Sequence, residues 1–77
     1  MKPKNLDQMV EVELNRLIST IKSRREELDL TQEAMAERVG VSYNQYKYIE
    51  QGRRRPSIEV FVKICIVLEL KSELKIS

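Results

Sequence analysis

The side chains best placed to do chemistry in this chain fall within residues 43–55, where Tyr43, Asn44, Lys47, Tyr48 and Gln51 are followed by the run Arg53-Arg54-Arg55. Successive residues of a helix are about 100° apart, so these five share one polar face while Tyr46 and Ile49 point the other way. The chemistry on offer is recognition. An Asn amide can pair bidentately with adenine, an exposed Tyr can donate to phosphate or lie against a thymine methyl, and Lys and Arg can meet phosphate oxygens. Each type is also an ordinary solvated surface residue, and three adjacent arginines in a turn are often no more than that. Other chemistries lack their residues. With no His and a single Cys, Cys65, the chain has no zinc spacing, no Ser/His or Cys/His nucleophile pair and no disulfide framework, so no enzyme, metal site or cofactor is expected. Cys65 reads as a small buried hydrophobe.

Composition bounds the scaffold that must hold this face. Seventy-seven residues, 42% hydrophobic and 34% charged, with two Gly and two Pro, describe one compact domain with little room for loops. A core of this size rarely supplies more than about 3–5 kcal/mol, which makes oligomerisation a natural supplement. The net charge of +2 alone points to no polyanionic partner. Its distribution is more telling, because residues 51–60 carry Arg53, Arg54 and Arg55 against Glu59, residues 1–10 carry Lys2 and Lys4 against Asp7, and residues 11–50 are slightly acidic. The lone thiol fits a reducing compartment, no apolar run approaches the roughly 18 residues of a membrane span, and no basic leader precedes one. The expectation is a soluble cytoplasmic protein with no membrane and no small-molecule ligand.

The apolar residues recur at helical spacing, which predicts an all-α fold. A first helix carries Leu6, Val10, Leu14, Leu17, Ile18, Ile21 and Leu28 and ends near Leu28. The Asn5/Gln8 pair has the capping-box pattern for a start at Leu6, whereas Glu11 and Glu13 suit a later start near the positive end of the dipole; the long form is favoured. Thr31 caps a second helix, Gln32 to Val39, stopped by Gly40. Ser42, with Gln45 three residues on, caps a third that ends at Gln51 before Gly52. After Pro56, Ser57 caps a fourth through about Leu68, with Ile58, Phe61, Ile64, Cys65 and Leu68 on one side. The tail from Glu69 to Ser77, with Leu70, Leu74 and Ile76, reads as a short fifth helix, an extended arm or frayed ends. Two short helices joined at Gly40-Val41-Ser42 form a helix-turn-helix, with Ala36 small at the crossing and Met35, Val39, Val41, Tyr46 and Ile49 filling the wedge. Tyr46 is expected in the core with its hydroxyl reaching the surface.

The run LTQEAMAERVGVSYNQYKYIEQGRRRPS, from Leu30 to Ser57, resembles the lambdoid-repressor and Cro-like helix-turn-helix regulators. Thr31, Gln32, Glu33, Ala36, Gly40, Val41, Ser42, Ile49, Glu50, Gly52, Pro56 and Ser57 match the family pattern. The resemblance implies a four- to five-helix bundle of lambda repressor-like type. It also implies that Gln32 touches phosphate, that Tyr43, Asn44 and Tyr48 face base edges, and that Ser42, Lys47 and Arg53 to Arg55 contact the DNA backbone. Arg25 and Glu50 match a family ion pair that clamps the first helix to the third. Two departures stand out: Tyr46 replaces the usual Ile or Val, and Leu68-Glu69-Leu70-Lys71 replaces a Gly-containing end of the fourth helix.

On this reading residues 1–13 are an extension continuous with the first helix in its long form, 14–69 the DNA-binding domain, and 70–77 a tail or short helix. The expected function is a sequence-specific DNA-binding transcriptional regulator of repressor type, inserting the third helix into the major groove as a homodimer on a two-fold symmetric double-stranded operator. The dimer surface is expected in the N-terminal extension or the tail, since Leu6, Met9, Val10, Leu70, Leu74 and Ile76 have no obvious partner in the four-helix unit. The rival reading is a protein-interaction module or antitoxin-like partner-binding protein that keeps the fold, which the low net charge favours and the polar outer face opposes.

Overall fold

Each helix described below starts at a small polar side chain that accepts a backbone hydrogen bond. In the computed structural model, which describes residues 5–70, Asn5 accepts from the Gln8 N–H at 2.9 Å and opens α1, Leu6–Glu27. Thr31 accepts from Ala34 at 3.0 Å ahead of α2, Gln32–Val39. Ser42 accepts from Gln45 at 3.1 Å ahead of α3, Tyr43–Glu50, and Ser57 from Val60 at 3.1 Å ahead of α4, Ile58–Val67. Each cap contributes about 1 kcal/mol by satisfying a donor that the helix leaves orphaned. Among the described residues there is no strand, and no helix is long and apolar enough to cross a membrane.

The helix ends share a second device, a residue in the left-handed region that lets the chain fold back onto the last turn. Gly40 (φ 78°) and Gly52 (φ 73°) take it without steric cost, but Asp29 (φ 56°) and Glu69 (φ 58°) take it as well. Glu69 therefore takes the left-handed conformation at the helix end where the resemblance implies a glycine. The Leu70 N–H then reaches the Cys65 carbonyl at 2.8 Å.

The core lies where α2 packs on α3 and α4, with α1 laid against α3. Ile21, Met35, Ala36, Val39, Tyr46, Ile49, Ile64, Cys65 and Leu68 are buried, and Leu28, Leu30, Val41, Val60, Phe61, Val67 and Leu70 pack around them. Two expectations need correcting. Ile58 shares a face with Phe61 and Cys65, yet it is 84% exposed, because the first residue of α4 lies one turn beyond the edge of the packed layer. Leu70 was expected to lack a partner, but the turn at Glu69 swings it back onto the core.

The long form of α1 is the one observed. Twenty-two residues at 1.5 Å make a rod about 33 Å long. Its first turns reach past the core, leaving Leu6 72% exposed with Met9, Val10 and Val12 also open. Lys2, Lys4, Leu74, Ile76 and the proposed fifth helix lie outside the described residues.

Candidate nucleic-acid interface

The recognition face depends first on how α3 is held from behind. Its inward residues Tyr46 and Ile49 are fully buried, and next to them sits the carboxylate of Glu50. Arg25 of α1 donates to it twice, from Nε to Oε2 at 2.7 Å and from Nη2 to Oε1 at 3.1 Å. The Gln32 amide of α2 donates to Oε1 at 3.1 Å, and the Tyr46 hydroxyl donates to Oε2 at 2.5 Å. Arg25 also donates from Nη1 to the Leu30 carbonyl at 2.8 Å, tying in the loop before α2. One carboxylate thus fixes the orientation of three helices. Among the described residues no buried side-chain nitrogen or oxygen is left without a partner.

The electrostatics follow from this geometry. Burial pushes the Glu50 carboxyl up, but hydrogen bonds from Arg25, Tyr46 and Gln32, with the Arg25 charge, outweigh it and hold the group below the ordinary carboxylate value. The hydrogen bond to Glu50 raises the Arg25 guanidinium further, against the cost of its own burial. Burial first, and then the neighbouring carboxylate, push the Tyr46 hydroxyl far above its ordinary value. The expectation that this hydroxyl reaches the surface is corrected, since Tyr46 has no exposure and its oxygen ends on Glu50. Tyr46, where the resemblance implies Ile or Val, therefore adds a donor to the buried network as well as filling the wedge.

The opposite face of α3 is open. Tyr43, Asn44 and Gln51 are exposed, and Lys47 and Tyr48 half-buried. The Lys47 ammonium lies 5.3 Å from the ring centroid of Tyr43, one turn before it, and 5.7 Å from that of Tyr48. On its other side Tyr48 meets the Arg53 guanidinium carbon at 5.1 Å. Such contacts contribute about 0.5–1 kcal/mol each when exposed, so two of them offset much of the roughly 2 kcal/mol of rotamer entropy that a fixed lysine loses. The lysine charge is thereby biased toward the space between the two rings. Asn44 makes no side-chain hydrogen bond among the described residues, leaving its amide to a partner. Ser42 Oγ caps α3 but keeps its own proton to donate.

The other expected backbone contacts divide. Gln32 sits at the start of α2 in a shallow cleft with Thr31, Glu33 and Tyr43, and part of its amide is committed to Glu50. In the arginine turn, the Arg53 and Arg54 N–H groups both donate to the Tyr48 carbonyl, at 2.9 and 3.3 Å, which folds the turn under α3. Arg53 lies on Tyr48, and Arg54 has no side-chain partner among the described residues. Arg55 instead pairs with Glu11 of α1. The sequence carries a local signal for the Tyr46–Glu50 bond, which is an i, i+4 pair on one helix. It carries none for Arg55 and Glu11, which are 44 residues apart.

The chain matches the helix-turn-helix family over residues 21–75. A protein of Archaeoglobus fulgidus described as an uncharacterized HTH-type transcriptional regulator is 38% identical over 53 residues, which is 69% of this chain and 75% of that protein. No solved structure matches. Both likenesses span α2, α3 and the network that holds them, and they point to a non-enzymatic DNA-binding regulator. The chain belongs to the helix-turn-helix family, of lambdoid-repressor and Cro-like type.

Proposed function

We propose that this protein is a sequence-specific transcriptional repressor that inserts α3 into the major groove and binds as a homodimer to a two-fold symmetric operator. The observation that carries the reading is the two-sidedness of α3. Its inner face is locked to α1 and α2 through Glu50, while its outer face presents Asn44 without a partner and Lys47 between two tyrosine rings. A rigid helix with unsatisfied donors and no aliphatic side chain on that face suits base edges better than a protein groove. Asn44, Tyr43 and Tyr48 read bases; Arg53 and Arg54 hold phosphates, with Gln32 and Ser42 at the other end of the motif. Arg55 contributes less, since Glu11 already compensates its charge.

The homodimer follows from economy and surface. One helix-turn-helix unit makes few contacts, and the projecting start of α1 exposes Leu6, Met9 and Val10, an apolar set suited to a second copy. Half-sites then lie about one helical turn, roughly 34–36 Å, apart. Selection of bound sequences from a random duplex pool tests the reading. A two-fold symmetric consensus with that spacing supports it, and no enrichment over the starting pool overturns it in favour of a protein-interaction module.

A further inference from the structure

Lys47 lies about 40° around α3 from Tyr43, between Tyr43 and Asn44 and so within the angular span of the outer face. It has no acidic partner among the described residues. The residues one turn away are Tyr43, Asn44, Gln51 and Glu50, and the Glu50 carboxylate is already consumed by Arg25, Gln32 and Tyr46. The rings of Tyr43 and Tyr48 flank its ammonium at 5.3 and 5.7 Å, which holds the charge in place while leaving its N–H donors without an acceptor. A lysine bound for phosphate works at the edge of a groove and gains by swinging freely. One flanked by two rings, within the span of Tyr43 and Asn44, is directed with them toward the bases.

We propose that Lys47 is a specificity-determining residue that donates from Nζ to O6 and N7 of a guanine in each half-site, with the ring faces of Tyr43 and Tyr48 holding its ammonium there while their edges and hydroxyls remain free for their own base contacts. Guanine is the base that sets two acceptors side by side in the major groove, whereas adenine and cytosine each present an amino donor that opposes an ammonium. Lys47 thus joins Asn44 in reading bases, and the backbone role that its place in the motif implied falls to the arginine turn. The inference rests on the DNA-binding reading above.

The test uses the full chain and the operator recovered by selection, with each guanine replaced in turn by 7-deazaguanine, which removes N7 and keeps base pairing. Wild type is expected to lose about tenfold in affinity per half-site at one guanine position. Lys47→Met, which keeps the apolar stem, is expected to show no penalty at that position. Tyr43 is exposed, so Tyr43→Leu leaves the fold intact by circular dichroism yet shrinks the penalty, and Tyr43→Phe restores it. The inference is overturned if Lys47→Met keeps the full penalty, or if it weakens binding by one common factor on every single-base variant, which marks a phosphate contact. It is also overturned if no guanine position is sensitive in wild type. A wild-type protein that binds no duplex at all fails earlier, at the DNA-binding reading itself.

Discussion

Replacing Glu50 with alanine removes the acceptor for four hydrogen bonds at once. It leaves the Arg25 guanidinium, the Gln32 amide and the Tyr46 hydroxyl facing one another in a region where Arg25 is 9% exposed and Tyr46 not at all. Cutting one partner from a buried ion pair costs about 3–5 kcal/mol, because the surviving charge stays buried without compensation. A core of this length rarely supplies more than about that much in total. Glu50→Ala is therefore expected to be largely unfolded at room temperature. Glu50→Gln retains one oxygen but turns an NH2 group toward other donors, and at about 3 kcal/mol its melting temperature falls by roughly 12–24 °C. Thermal and urea melts followed by far-ultraviolet circular dichroism measure both. The folded carboxyl lies below its unfolded value of 4.5, so its stabilisation is complete above that pH and fades as pH falls through the folded value. Glu50→Gln is expected to flatten that acid limb. A Glu50→Gln protein that melts within about 5 °C of wild type and keeps the acid dependence shows that the buried network does not carry this stability.

The Tyr46 hydroxyl is raised above its ordinary 10.0, so its stabilisation is full below pH 10 and is lost as pH climbs beyond it; Tyr46→Phe is expected to be less stable at neutral pH and to lose less on going to pH 11, as read by urea melts. Arg54→Ala is expected to lower the slope of log affinity against log salt by about 2 per dimer, roughly 0.9 for each phosphate no longer neutralised, and Arg55→Ala by clearly less because Glu11 pairs with it. Equal changes for the two arginines contradict that division of roles. Glu69→Gly relieves a left-handed residue that costs about 1–2 kcal/mol and gives back about 0.5–1 kcal/mol in chain entropy, so a small rise in melting temperature is expected, and a fall shows that the pairing with Arg24 matters more.

The helix boundaries were legible because each is written locally. Asn5, Thr31, Ser42 and Ser57 stand where capping chemistry requires them, and Gly40 and Gly52 mark two of the stops. Glu69 shows where local rules run out, since nothing in its side chain announces a left-handed backbone, whereas Asp29 is of a type that occasionally takes it; the packing of Leu30 and Leu70 onto the core accompanies both turns. The outer face of α3 was legible from periodicity alone. The pairings that shape the rest of the interface were not. Gln32 reaching Glu50 and Arg55 reaching Glu11 join residues 18 and 44 positions apart, and nothing in a single sequence relates them. Ile58 misled for the converse reason, having the right helical phase but lying beyond the layer that the phase was expected to fill.

Whether the outer face of α3 reads sequence is decided at Asn44, which is exposed and makes no side-chain hydrogen bond among the described residues, so that its replacement leaves the fold untouched. Affinity is measured for wild type and Asn44→Ala on the selected operator and on each of its single-base variants at one fixed salt concentration. Asn44→Ala is expected to lose about 1–3 kcal/mol of discrimination at one base pair in each half-site, with an adenine preferred there by wild type, and to keep it elsewhere. A common factor of weakening across every variant, with the preference at all positions intact, contradicts base reading by this face.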